Sequence, residues 1–193
     1  MTRTAIAAAL LLLTADLAAQ EATLEPGIRI SGSLAEGDTA TYVVDAGAEF
    51  YVLGAVDQET VDVIVRILDP EGRQIRSVDG PARGPELFWF EAEDAGRYRI
   101  QVIPFEEETG SFAISLERLE PLETEPGDLV DQLMSPYDRD DSPGAAVGVW
   151  RNGRTLLQRA YGMANLAYDI PFEVDTRTNI GSTSKQFTAF AIM

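Results

Sequence analysis

Asp62-Val63-Ile64-Val65-Arg66-Ile67-Leu68-Asp69-Pro70-Glu71-Gly72 decides how the first half of this 193-residue chain folds. Apolar and β-branched residues run to Leu68, and the next four residues put Asp, Pro and Gly where a tight reversal needs them. The same pattern extends in both directions. Candidate strands cover residues 28–34, 39–44, 50–56, 61–68, 74–78, 86–91, 97–103 and 111–116. Further turns are marked by Glu36-Gly37-Asp38, Asp79-Gly80-Pro81 and Asp94-Ala95-Gly96. Short strands at this spacing, with no long helical period among them, predict an N-terminal antiparallel β-sandwich of jelly-roll type over residues 21–119.

Leu87-Phe88-Trp89-Phe90 could form an aromatic platform for a carbohydrate. Strand alternation instead puts Phe88 and Phe90 on one face and Trp89 on the other, as in a strand buried on both sides, so core packing is the expected role. The run 62–72, together with Ala95-Gly96-Arg97-Tyr98-Arg99-Ile100-Gln101-Val102, resembles the bacterial pre-peptidase C-terminal domain, a β-sandwich appended to many exported hydrolases. That resemblance covers roughly 90 residues. It implies an accessory, non-catalytic role, such as binding substrate or a surface.

Leu-Glu-Pro-Leu-Glu-Thr-Glu-Pro-Gly at 119–127 has two prolines, three glutamates and no periodicity, which marks a domain boundary with 120–127 as linker. Beyond it, Leu129, Val130, Leu133 and Met134 recur at helical spacing over 128–134, and Pro136 ends the helix. Asp138, Asp140, Asp141, Ser142 and Gly144 have the spacing of a calcium loop in part. Pro143 stands where that loop needs Gly and Val149 where it needs Glu, so a solvated connector is expected. Residues 144–150 and 154–161 read as two strands turned by Asn152-Gly153.

Composition removes several function classes. The chain has no cysteine, hence no disulfide, thiol nucleophile or thiolate metal site, and no histidine, hence no Ser-His-Asp triad or histidine zinc site. Neither a metal nor a cofactor is expected. A formal charge of −17 argues against nucleic acid or an anionic membrane as partner, since both require clustered Lys and Arg. Residues 1–20 carry an early Arg, an apolar run from Ala5 to Leu13 and small residues up to Ala18-Ala19-Gln20, the pattern of an export signal. Nine apolar residues fall well short of the roughly 20 that a membrane crossing needs, and no cysteine follows for lipidation. The expectation is a periplasmic or secreted chain, starting near Gln20 or Glu21, with no stable membrane anchor.

Of the 15 basic residues, Lys185 is the single lysine. An Arg stays protonated, whereas a lysine amine can be tuned to act as a base. It lies in Ile180-Gly181-Ser182-Thr183-Ser184-Lys185-Gln186-Phe187-Thr188-Ala189, where the period changes to helical, with Phe187, Phe190, Ala191 and Met193 on one apolar side. Three residues apart on a first turn, the Ser182 hydroxyl and the Lys185 amine can approach each other. The amine can take the hydroxyl proton while the helix N-terminus favours the developing negative charge. Gly181 lets a backbone approach closely. The bland alternative makes Ser182 an N-cap and Lys185 a solvated side chain.

With Ser142-Pro143-Gly144, Asn152-Gly153, Tyr161-Gly162 and Asp175-Thr176 preceding it in that order, the motif resembles the beginning of the serine β-lactamase-related family, which includes class C β-lactamases, D-alanyl-D-alanine carboxypeptidases and related esterases. The resemblance covers 127–193 and implies the start of an α+β domain that works through a covalent acyl-serine. It makes Ser182 the nucleophile, Lys185 its amine partner and the Ser182 backbone N–H one oxyanion donor. The implied partner is a small-molecule or peptide acyl substrate, cell-wall material among the candidates. The family's Tyr-x-Asn and its Lys- or His-x-Gly are not among these residues. The reading is therefore a truncated catalytic domain, inactive by itself; the competing reading is a non-catalytic binding sandwich with a remnant tail.

Overall fold

The computed structural model describes residues 21–80 and 82–193. The export signal read at 1–20 lies outside the described residues, as does Pro81 of the 79–81 turn. Nine strands come first: β1 (Ala22–Thr23), β2 (Arg29–Leu34), β3 (Ala40–Ala46), β4 (Phe50–Gln58), β5 (Val63–Leu68), β6 (Gln74–Val78), β7 (Gly84–Ala92), β8 (Gly96–Pro104) and β9 (Gly110–Pro121). They form two sheets, ordered β1-β3-β8-β5-β6 and β2-β9-β4-β7. All pairings are antiparallel except β1 with β3. From β2 onward, every connection but β5 to β6 passes from one sheet to the other, which is jelly-roll order.

The decisive stretch does what its alternation requires. Val63, Val65 and Ile67 face the core and Arg66 faces out, so β5 can pair with β6 and β8 while burying one side. Its turn is closed by Asp69: Gly72 N–H donates to the Asp69 carbonyl at 2.9 Å, and Arg73 N–H to Asp69 Oδ1 at 2.8 Å. Gly72 sits at φ +84°, where a side chain would be strained. The opposite sheet contributes Phe88, Phe90, Phe112, Ile114 and Leu116 to the same core. Gly54 of β4 makes room for it, because a Cβ there would lie 2.2 Å from Phe88 Cζ.

Trp89 points away from the core, as alternation requires, and its ring is covered by the Arg76 guanidinium 3.7 Å from the centroid. Strand ends differ from the expectation by up to a few residues, and two boundaries around the connector differ with a structural consequence. β9 continues through Leu119-Glu120-Pro121, expected at the start of the connector, because β4 is long enough to pair them with Val52, Tyr51 and Phe50. The following helix, α1 (Pro126–Met134), starts earlier than expected, with Pro126 in its first turn, where a missing N–H costs no bond. A 3₁₀ turn over Ser135–Tyr137 ends it. After it come the hairpin β10 (Ala145–Arg151) and β11 (Arg154–Tyr161), the short pair β12 (Met163–Asn165) and β13 (Ile170–Pro171), and α2 (Ser184–Ile192).

Candidate active site at Ser182

The route from the hairpin to Ser182 is set by local hydrogen bonds. Asn152 and Gly153 turn β10 into β11 with positive φ at both residues, 52° and 73°. Gly144, Gly162 and Phe172 then cross closely: Gly144 N–H donates to the Met163 carbonyl at 2.7 Å and Phe172 N–H to the Gly162 carbonyl at 2.8 Å. Gly162 is required there, since at φ +65° its Cβ would meet the Tyr137 carbonyl oxygen at 2.4 Å. Further on, Glu173 N–H donates to Thr176 Oγ1 at 2.8 Å, closing a small loop.

Asn179 Oδ1 accepts the Gly181 N–H at 2.8 Å, and Gly181 takes φ +55°. The Gly181 requirement is therefore conformational as well as a matter of access. Ser182 lies in a 3₁₀ turn, Gly181–Thr183, and α2 begins only at Ser184. The expected first-turn position is thus moved into the tighter turn that leads the helix. The Ser184 hydroxyl donates back to the Gly181 carbonyl at 2.7 Å, fixing the step from one helical form to the other.

Ser182 and Lys185 are both exposed. Neither the turn nor α2 has a side-chain capping bond, so the Ser182 hydroxyl is not an N-cap. Among the described residues, neither that hydroxyl nor the Lys185 amine has a hydrogen-bond or ion-pair partner, and the two are not bonded to each other. Within this turn the Gly181 N–H is taken by Asn179 Oδ1 and the Thr183 N–H by the Ile180 carbonyl, which leaves the Ser182 N–H to face an incoming anion. The acidic run 138–144 has a structural use: Arg139 Nε pairs with Asp141 at 3.0 Å, and the Ser142 hydroxyl donates to the Tyr137 carbonyl at 2.8 Å. No group of three or more His, Cys, Asp or Glu that could hold a metal is present among the described residues.

Residues 128–193 match the Beta-lactamase family. That match takes in the last third of the chain. Within the chain, 51 residues are 43% identical to D-aminopeptidases of Brucella anthropi and of Cereibacter sphaeroides, a match covering 26% of this chain and 10% of each relative. The chain thus spans about a tenth of the length of the curated relatives it matches. Among solved structures, the pre-peptidase C-terminal domain of a Bacillus anthracis collagenase is 17% identical, with a TM-score of 0.42, over 50% of this chain and 94% of that one.

Sequence reasoning missed the residues that anchor the segment 128–193. The Tyr161 hydroxyl donates to Asp131 Oδ1 at 2.6 Å, tying β11 to α1. Burial, and then the Asp131 carboxylate that accepts its proton, push the Tyr161 phenol well above its usual range. Only the apolar position of Tyr161 was visible in the sequence, because its partner sits 30 residues earlier.

Proposed function

We propose that this chain belongs to an exported serine acyl hydrolase, with Ser182 as nucleophile and Lys185 as the base that takes its proton. The observation that carries this reading is Ser182-x-x-Lys185 at the start of a helix, with the serine hydroxyl free of any capping bond. Attack by Ser182 Oγ on an acyl carbon moves the hydroxyl proton to the Lys185 amine and leaves a tetrahedral oxyanion beside the Ser182 backbone N–H. Expulsion of the leaving group, protonated by the same amine, leaves an acyl-serine for water to hydrolyse. The D-aminopeptidase relatives support a D-amino peptide as substrate, with β-lactams and simple esters as other acyl donors of this chemistry.

The 193 residues alone lack Tyr-x-Asn and Lys- or His-x-Gly, so a polypeptide of this sequence is inactive in turnover. Export through residues 1–20 puts it in the periplasm or outside the cell. The test is labelling of the folded chain with a fluorophosphonate or a fluorescent penicillin, read by intact mass and peptide mapping. A single adduct at Ser182 that disappears in Ser182→Ala and weakens in Lys185→Arg is expected. Equal labelling of wild type and Ser182→Ala, or efficient turnover by these residues alone, would overturn the reading.

A further inference from the structure

Residues 128–193 contain almost no core of their own: Gln132, Pro136 and Tyr161 are the buried residues among them. Gln132 and Pro136 lie where this segment meets the sandwich, and Tyr161 is bonded to α1. Gln132 is 5% exposed and uses its whole amide there. Its Oε1 accepts the Glu123 N–H at 2.9 Å, and its Nε2 donates to the Pro121 carbonyl at 3.0 Å and to Glu120 Oε1 at 3.1 Å.

The surface that receives α1 is the outer face of the β2-β9-β4-β7 sheet. Tyr51 alternates with the core residue Val52 and so points outward, yet it is fully buried and outside the core cluster. Its hydroxyl meets Ser135 Oγ at 3.4 Å. Next to it, Trp89 packs edge-on against Tyr137 at 6.3 Å, and Arg139 Nη1 pairs with Glu117 of β9 at 3.1 Å. The junction combines a buried amide, an aromatic pair and a charge pair, drawn from one helix, its closing turn and Arg139 just beyond it.

We infer that this outer face is an intramolecular docking surface on which α1 and the Ser135–Tyr137 turn fold, so that the sandwich is the folding platform of the Ser182-bearing segment. A helix of nine residues is marginal in water by itself, since isolated helices need about 12–15 residues. α1 also lacks a side-chain N-cap. Its stability must therefore come from what it packs against, and the sandwich supplies that surface together with β11, which holds Asp131 of α1 through Tyr161 and Arg159. This docking does not depend on reactivity at Ser182.

Amide hydrogen exchange on the full chain, read by mass spectrometry, tests it. In wild type, the α1 amides are expected to exchange at least about a hundredfold more slowly than an unstructured chain. Gln132→Ala replaces a residue by a better helix former, so intrinsic helicity rises. Docking nevertheless loses its hydrogen bonds, and α1 exchange is expected to accelerate about tenfold. Glu117→Gln, made on the sandwich side, should accelerate it by a smaller factor, with β4 amides as the internal reference. Unprotected α1 amides in wild type, or α1 protection unchanged or increased in Gln132→Ala, would overturn the inference.

Discussion

Phe88 in β7 is fully buried, whereas Phe190 in α2 is 81% exposed, and the two residues mark a difference between the two halves of the molecule. In the sandwich, each sheet covers the apolar face of the other, and the strand alternation has a destination. Past Gly127, the β10–β11 hairpin and α2 expose Trp150, Leu156, Phe187 and Phe190, with no second layer against them among the described residues. A two-stranded hairpin is marginal without a covering layer, and a helix needs its apolar stripe buried. The contrast teaches that the same hydrophobic pattern yields stability only where a partner layer exists. It also explains why the later segment leans on the sandwich through α1.

The sharpest way to break this comparison is to remove its best-buried member. Phe88→Ala is expected to cost about 3–5 kcal/mol of unfolding free energy, measured by urea denaturation, because it leaves a cavity between the sheets. Phe88 also fills the space beside Gly54, so the collapse that would soften this loss is restricted by the β4 backbone. A loss below about 1 kcal/mol would mean that the two sheets do not close on each other as described.

A smaller effect follows from the charged pole of the sandwich. Glu86 is 3% exposed and accepts the Gly80 N–H at 2.9 Å. Burial first, and then the negative charges of Asp79 and Asp62, raise its carboxyl above the usual value despite that hydrogen bond. Asp62 is raised in the same direction, by burial and by Glu108 and Asp79, and its Oδ1 is buried without a hydrogen-bond partner among the described residues. A carboxyl with a raised folded-state pKa binds a proton in the native state before the unfolded chain does. Its penalty is therefore absent below the unfolded value and grows as pH rises through the folded one. Asp69 works in the opposite sense. Although its desolvation pulls upward, the Arg73 backbone and guanidinium hold its carboxyl low, so its contribution is lost on acidification. Glu86→Gln isolates the first effect: the stability gained by wild type between neutral and weakly acidic pH should shrink in the variant. An unchanged pH profile would show that Glu86 is solvated in solution.

Much of this was legible in the chain. β6 was read with its observed bounds, and the Asp69–Gly72 turn was visible from residue types alone. The end of β9 was not, because Glu120 and Pro121 look like linker and pair only thanks to the length of β4. At the candidate site, Ser182 and Lys185 stood out through a motif and a lone lysine. The 3₁₀ turn and the positive φ of Gly181 depend on the Asn179 side chain, whose bond is local but leaves no periodic signature. Gln132 was unreadable for another reason: a single amide in a short helix gives no sign that it will be buried against a strand end.

The smallest expected effect is the most informative about the second half. Phe190→Ala should leave the unfolding free energy within about 0.5 kcal/mol of wild type, because an exposed side chain loses few contacts on truncation. Binding of a hydrophobic dye should fall at the same time, since Phe190 contributes to an exposed apolar surface together with Phe187, three residues earlier on the helix. The pairing of these two readouts matters: a protein can be insensitive to a substitution because the site is empty of contacts or because the site is unfolded. Dye binding that falls while stability holds identifies a folded, uncovered α2. A loss of more than about 1 kcal/mol would instead mean that α2 is packed against another surface in solution, and the division between a closed sandwich and an open segment would have to be withdrawn.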